Sequence, residues 1–153
     1  MKKTKRSKKS RGWVIKQHRD QFYKKSKTLG YRSRSAFKLI ELNQKFKFIK
    51  KNSLLLDVGS SPGGWSQITS SIVKNGKIIA IDIKPMEKID NVNFLKCDFM
   101  DLNTKNKILG IFNSKIDVVI SDMAANTTGN KGLDCIRTNL LCHEVIKFAS
   151  TLL

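Results

Sequence analysis

Residues 54–67 read LLLDVGSSPGGWSQ: three leucines and an aspartate, then Gly59, Gly63 and Gly64 with Pro62 among them, then Trp65. The leucines signal a buried strand, and the glycines permit a turn whose backbone approaches a ligand with no Cβ in the way. Pro62 stiffens that turn. The continuation GWSQITSSIVKNG sets Trp65, Ile68 and Ile72 at helical spacing, with Gly76 as the expected stop. A strand that turns on glycines into a helix aims the free amides of that helix at whatever lies above the strand.

The same rhythm repeats downstream. SLLLDVG ends at Asp57, GKIIAIDI at Asp82, VNFLKCD at Asp98 and IDVVISD at Asp122. These apolar runs are continuous rather than alternating and are separated by helix-like segments, which predicts strands buried on both faces of a doubly wound parallel sheet. Ligands of such α/β sheets sit outside the carboxyl ends of the strands, so four carboxylates are expected to ring one crevice. Aspartate is also a turn and cap residue, but four in one topological position favour a site. The last helical stretch sets Leu141, Val145, Phe148 and Leu152 on one face.

Upstream, SRSAFKLIELNQKF predicts a helix capped by Ser33 or Ser35, with Ala36, Leu39, Ile40 and Asn43 on one face and Lys38, Glu41 and Lys45 on another. Trp13 to Leu29 is weakly helical, and residues 1–12, with seven basic side chains, are expected to be disordered when free. The formal charge of +18 is uneven: residues 1–50 hold 18 Lys and Arg against Asp20 and Glu41, and residues 51–153 hold 12 against 10 acidic. A basic half beside a nearly neutral one points to a polyanion held at one end, nucleic acid above all. At 153 residues the chain is one domain in size, with no apolar run near a membrane span and no apolar stretch after the opening charges to make a secretory signal. Cys97, Cys135 and Cys142 form no C-x-x-C pair, and His18 and His143 lie far apart. Neither a metal site nor a disulfide framework is expected, and a reducing cytoplasm suits the thiols.

Three sequence facts narrow the ligand. Ser61 occupies the middle glycine of a G-x-G-x-x-G fingerprint, and Trp65 stands where a P-loop needs Lys, so a dinucleotide and ATP are both disfavoured. Asp82, 19 residues beyond Gly63, ends the next strand, where it can accept both hydroxyls of an adenosine ribose, and Asp98 can take the adenine amine. A nucleoside recognised by glycine backbone and acids points to S-adenosylmethionine, whose positive sulfonium suits an aspartate-rich crevice.

YRSRSAFKL, DVGSSPGGWSQ, IIAIDIKPM and VISDMAAN, in that order and spacing, resemble the FtsJ/RrmJ-type ribosomal RNA 2′-O-methyltransferases from about Arg11 onward. The resemblance implies a Rossmann-like methyltransferase fold and transfer of a methyl group to the ribose 2′-hydroxyl of a uridine in large-subunit rRNA, free or in the large ribosomal subunit. It implies S-adenosylmethionine contacts from Gly63, Trp65, Asp82, Asp98 and Asp122. Of the family's Lys-Asp-Lys-Glu catalytic set, Lys38 and Asp122 match the first two members. Serines stand in GSSPGG where the family commonly has alanine, and Ala125 stands where proline is usual, which loosens the loop after Asp122.

The resemblance further implies a basic arm over residues 1–30 and a methyltransferase domain over 31–153 that lacks its C-terminal strands, with the second lysine and the glutamate beyond Leu153. The strand carrying IDVVISD would then be a raw edge, and the chain itself would transfer at most a trace of methyl. A cytoplasmic monomer without metal is expected. SDMAAN lacks the [DN]-P-P-[YF] of amino-group methyltransferases and the Pro-Cys pair of base-carbon methylation. The rival from another class is a noncatalytic remnant that binds RNA and cofactor, and a dehydrogenase is a more distant third.

Overall fold

The computed structural model describes residues 20–112 and 115–153. The expectation of disorder over residues 1–12 and the part of the weakly helical stretch before Asp20 lie outside the described residues.

Strands β1 (Leu54–Val58), β2 (Lys77–Asp82), β3 (Asn93–Lys96) and β4 (Val118–Ser121) pair in parallel in the order β3-β2-β1-β4. The chain therefore lays β1, β2 and β3 outward in one direction and returns to the other side of β1 for β4. That reversal is the position at which an open parallel sheet leaves a crevice above its strand ends. Helices α2 (Ala36–Phe46) and α3 (Gly64–Ile72) cover one face, where Ala36, Leu39, Leu55, Trp65, Ile68, Ile78, Val118 and Ile120 pack together. Helices α4 (Leu102–Phe112) and α5 (Lys131–Leu152) cover the other, against Leu56, Val58, Ile79 and Ile81. Leu55 and Leu56 thus point to opposite layers, as the period of two in a strand requires. Each fully buried leucine or isoleucine in these layers contributes about 1.5–3 kcal/mol. The doubly wound parallel sheet expected from the sequence is what forms.

Several local expectations need correction. Asp57 lies within β1 rather than after it, so it is buried in the face shared with α3 and does not join the rim. β3 ends at Lys96, leaving Asp98 two residues into the loop. Only β1 and β2 have continuous buried runs; β3 and β4, at the edges of the described sheet, are half-buried because each has a neighbour on one side only. α3 stops at Ile72, where Val73 turns extended and buries itself, four residues before Gly76 is reached. Ser35 stands at the N-cap of α2 but caps no amide; its hydroxyl hydrogen-bonds the Ser33 hydroxyl at 2.7 Å. Within the weakly helical stretch, α1 (Gln21–Thr28) forms because the Asp20 carboxylate accepts from the amides of Phe22 and Tyr23. Among the described residues no helix is long and apolar enough to cross a membrane.

Candidate functional site

The turn after β1 is held open by backbone conformation. Gly59 and Gly63 have φ of 78° and 106°, a region that side chains strain to enter. A Cβ on Gly59 would collide with the Met123 side chain, and one on Gly63 would lie 2.9 Å from Met86 Sδ and 3.0 Å from both Arg32 Nη1 and Ile89 Cδ1. The turn is then tied to the next strand: the Ser60 and Gly59 amides donate to the Ile81 carbonyl, and the Ser61 amide donates to Asp82 Oδ2 at 2.9 Å. Asp82 Oδ1 accepts from the Lys84 amide at 2.7 Å, so both carboxylate oxygens are fixed by backbone while each keeps a lone pair for a ligand.

Two cavities open beside this turn. The larger, about 610 Å³, collects Asp82, Asp98 and Asp122 with apolar walls from Phe99, Met100 and Met123. Asp98 is fixed there by the Met100 amide, which donates to its Oδ1 at 2.9 Å. Lys84 and Arg137 also reach this lining, so the crevice is not purely acidic, although the Arg137 guanidinium is engaged with the Asn126 carbonyl at 3.1 Å. The smaller cavity, about 50 Å³, lies between Ser33, Asp57, Gly59, Trp65 and Asp122. Asp122 and Gly59 border both. Gly63 lines neither and acts by shaping the turn.

Lys38, on the first turn of α2, reaches across to β4: its Nζ donates to Asp122 Oδ1 at 2.7 Å, and its side chain remains 60% exposed. On the other side of Nζ stands the Trp65 ring, with its centroid 5.5 Å away, and the Trp65 indole N–H donates to the Ser35 carbonyl at 2.8 Å. Trp65 therefore fixes α2 against α3 and walls the smaller cavity, away from the larger one. Lys38, Trp65 and Asp122 are brought together as a cluster; Asp82, Asp98 and Asp122 form a second, joined to the first through Asp122.

Beneath both lies Asp57. Its Oδ2 accepts from the Ser66 hydroxyl at 2.6 Å. Burial, and to a smaller extent the negative charges of Asp122 and Asp82, push its carboxyl from the ordinary 3.8 up to about 7, against a partial offset from that hydrogen bond. A site with this much carboxylate stress is suited to a cationic ligand, and a nucleoside bearing a sulfonium meets the acids, the apolar walls and the open glycine backbone together. The donor set fits S-adenosylmethionine on those grounds. Among the described residues no group of three or more His, Cys, Asp or Glu is placed to hold a metal ion.

Arg32 carries no signal in the sequence, where it is one cation among eighteen in its half. In the fold its Nη1 donates to the Glu87 carbonyl at 2.7 Å and the Pro62 carbonyl at 3.4 Å, and its Nη2 to the Lys88 carbonyl at 2.9 Å. It clamps the glycine turn to the loop after β2. The loop after Asp122 is also better held than Ala125 suggested, because side chains of α5 grip it: Thr138 accepts from the Ala125 amide, and Asp134 accepts from the Thr128 amide and hydroxyl.

Comparison with known proteins agrees with this geometry. The sequence profile of the FtsJ-like methyltransferases matches residues 31–153. Ribosomal RNA large subunit methyltransferase E of Pelagibacter ubique is 48% identical over 144 residues, covering 94% of this chain and 71% of that protein. The protein of the same name from Rickettsia akari is 44% identical over 151 residues, covering 95% of this chain and 66% of its own length. The chain thus spans about two thirds of the curated relatives it matches. A crystal structure of a Plasmodium falciparum protein described as a ribosomal RNA methyltransferase superposes with a TM-score of 0.73 at 38% identity, covering 80% of this chain and 72% of that one. A parallel sheet with this crevice, a profile match from Tyr31 to the last residue and relatives at this identity lead to one conclusion: the chain belongs to the FtsJ-like methyltransferase family.

Proposed function

We propose that the site transfers a methyl group from S-adenosylmethionine to the ribose 2′-hydroxyl of a uridine in large-subunit rRNA. The observation that carries this reading is the Lys38–Asp122 pair, 2.7 Å apart and at the junction of the two cavities. In this reading the larger cavity takes the nucleoside: Asp82 receives the ribose hydroxyls, Asp98 the adenine amine, and Gly59 and Ser61 present backbone to the remainder, in a turn that Gly63 shapes. When bound, S-adenosylmethionine supplies an electrophilic methyl group. The residues of this chain do the rest. Asp122 aims Lys38 at the open side of the cavity, where a ribose hydroxyl approaches through solvent-exposed basic surface. Such a hydroxyl attacks only as its proton leaves, and in this reading Lys38 Nζ is the group that takes it. Alignment of the hydroxyl with the methyl group supplies much of the remaining rate.

A lysine accepts a proton at neutral pH when further positive charge or burial favours its neutral form. Among the described residues Lys38 is the cation within 4 Å of Asp122, and in this reading a second lysine brought beside that pair would raise transfer. A cytoplasmic monomer acting on the rRNA or on the assembled subunit completes the reading.

The test is transfer of labelled methyl to undermethylated large ribosomal subunits by the chain, by an extended form and by Lys38→Ala in the extended form. Label is expected in an alkali-resistant dinucleotide, as a 2′-O-methyl group requires, with Lys38→Ala slower by about 10²–10⁴-fold. Label released in a mononucleotide would overturn the 2′-hydroxyl. Transfer by the 153-residue chain within about tenfold of the extended form, a difference of ~1.4 kcal/mol in barrier, would overturn the need for the second lysine. Binding of RNA and cofactor without transfer by either form would favour a noncatalytic binding module.

A further inference from the structure

The first turns of α1 and α2 meet on the surface next to Lys38. Phe37 immediately precedes that lysine and is enclosed on three sides: the Phe22 ring lies 5.7 Å from it, tilted by 52°, the Tyr31 ring meets it edge-on at 5.4 Å, and Lys25 Nζ stands 5.3 Å from its centroid. The ion pair of Asp20 with Arg34 ties the same two helix starts together. Phe22 is the outer member of this stack and is 59% exposed. It is no core residue: α1 buries only Ser26. An aromatic ring so exposed, supported from behind by Phe37 and carried on a helix that also holds Lys24, Lys25 and Lys27, combines the two elements with which proteins hold unpaired nucleotides, a π-face for the base and cations for the backbone.

We propose that Phe22, backed by Phe37 and Tyr31, is a stacking platform for an unpaired base of the RNA, close to the nucleotide presented to Lys38 and Asp122. The inference rests on the RNA reading above and adds to it how the strand is gripped. Charge decides the occupant: the helix that carries Phe22 holds three lysines and no acid, its capping Asp20 is paired with Arg34, and the half of the sequence that holds them carries 18 basic residues against two acidic. The bases offer Phe22 a planar partner, and their phosphates neutralise the rim.

Stacking and ion pairing respond differently to salt, which makes the platform separable from the general basic surface. The 153-residue chain is titrated into a short oligouridylate carrying a single 2-aminopurine, whose fluorescence is quenched on stacking, at several salt concentrations. For Phe22→Leu, which keeps an apolar side chain but removes the π-face, affinity is expected to fall about 5- to 150-fold with loss of quenching. The slope of log affinity against log salt, the S-adenosylmethionine affinity and the thermal midpoint are expected to stay unchanged. Phe22→Trp should restore binding. Lys25→Gln should instead flatten the salt slope by about 0.7. Wild-type affinity and quenching in Phe22→Leu would overturn the platform, and so would a loss matched by equal falls in cofactor affinity and thermal midpoint, which would make the ring a packing element. Failure of the wild-type chain to bind the oligonucleotide at any salt would overturn the RNA reading itself.

Discussion

Around Gly59 and Gly63 the surface offered to a ligand is built from backbone, whereas around Phe22 and Phe37 it is built from side chains. In the first region two glycines at positive φ, the fixed carboxylate of Asp82 and the Arg32 clamp leave few degrees of freedom, and almost every polar atom has an assigned partner. In the second, Phe22 and Arg34 stand in solvent with side chains more than half exposed. The difference is one of where specificity resides. A small, rigid ligand can be met by a surface built during folding, while a long, flexible polyanion is met by charges and rings that order on contact.

The hardest blow to the backbone-built side is Gly63→Val. A β-branched side chain at φ 106° facing Met86 and Ile89 combines backbone strain with overpacking, about 3–6 kcal/mol together. Cofactor titration should show no binding at hundredfold the wild-type dissociation constant, and the denaturation midpoint should drop. A variant that binds normally would mean that the turn is as adaptable as the helix starts, and the contrast would collapse.

Asp57 sharpens the same side through pH. Its folded pKa, raised to about 7 from 3.8, means that the native state holds a proton the unfolded chain has released. Its contribution is therefore fully present below about pH 4 and is lost as pH rises through 7. Asp57→Asn should remove that dependence, matching wild type near pH 4 and exceeding it by about 4 kcal/mol at pH 8, as read by urea midpoints. Parallel stability curves for the two proteins across this range would show that the buried carboxylate carries no such stress.

Asp82→Ala should weaken S-adenosylmethionine binding by about 1.5–3 kcal/mol in calorimetry, since it removes charge-assisted hydrogen bonds and frees the Ser61 amide. Equal affinities would remove Asp82 from the cofactor side. The smallest effect comes from the other region. Deleting residues 1–11, which carry seven cations, should leave cofactor affinity within about twofold, because it removes none of the residues that line the crevice. The same deletion should flatten the salt slope of RNA binding by up to about five. An unchanged slope would reduce that segment to an aid to solubility.

The two regions also differ in how far they could be read from the sequence. β1 and β2 were legible because a strand covered on both faces writes a continuous apolar run, and Asp82, Asp98 and Asp122 followed from where such strands end. Asp57 was misplaced because a buried strand residue and a strand-end residue look alike in LLLDVG. α1 gave little periodicity because it buries one serine. Arg32 and Arg34 are indistinguishable in YRSRS, yet one grips three carbonyls and the other stands in solvent paired with Asp20. The Phe22–Phe37 stack joins residues 15 apart whose meeting depends on how two helices dock. Backbone-built recognition leaves a local pattern in the sequence, whereas side-chain recognition between separately placed helices does not.

The Lys38–Asp122 pair joins residues 84 positions apart, and β4 follows β1, β2 and β3 in the chain. On a nascent chain extended at 5–20 residues per second, Lys38 emerges roughly 4–17 s before its aspartate exists. The turn after β1 can be tied to β2 in that interval, since the bonds that hold Gly59, Ser60 and Ser61 lie within the first 85 residues. The order of synthesis thus ties the glycine turn before Lys38 can meet Asp122, and both that pair and the far wall of the larger cavity wait on the docking of the last described strand.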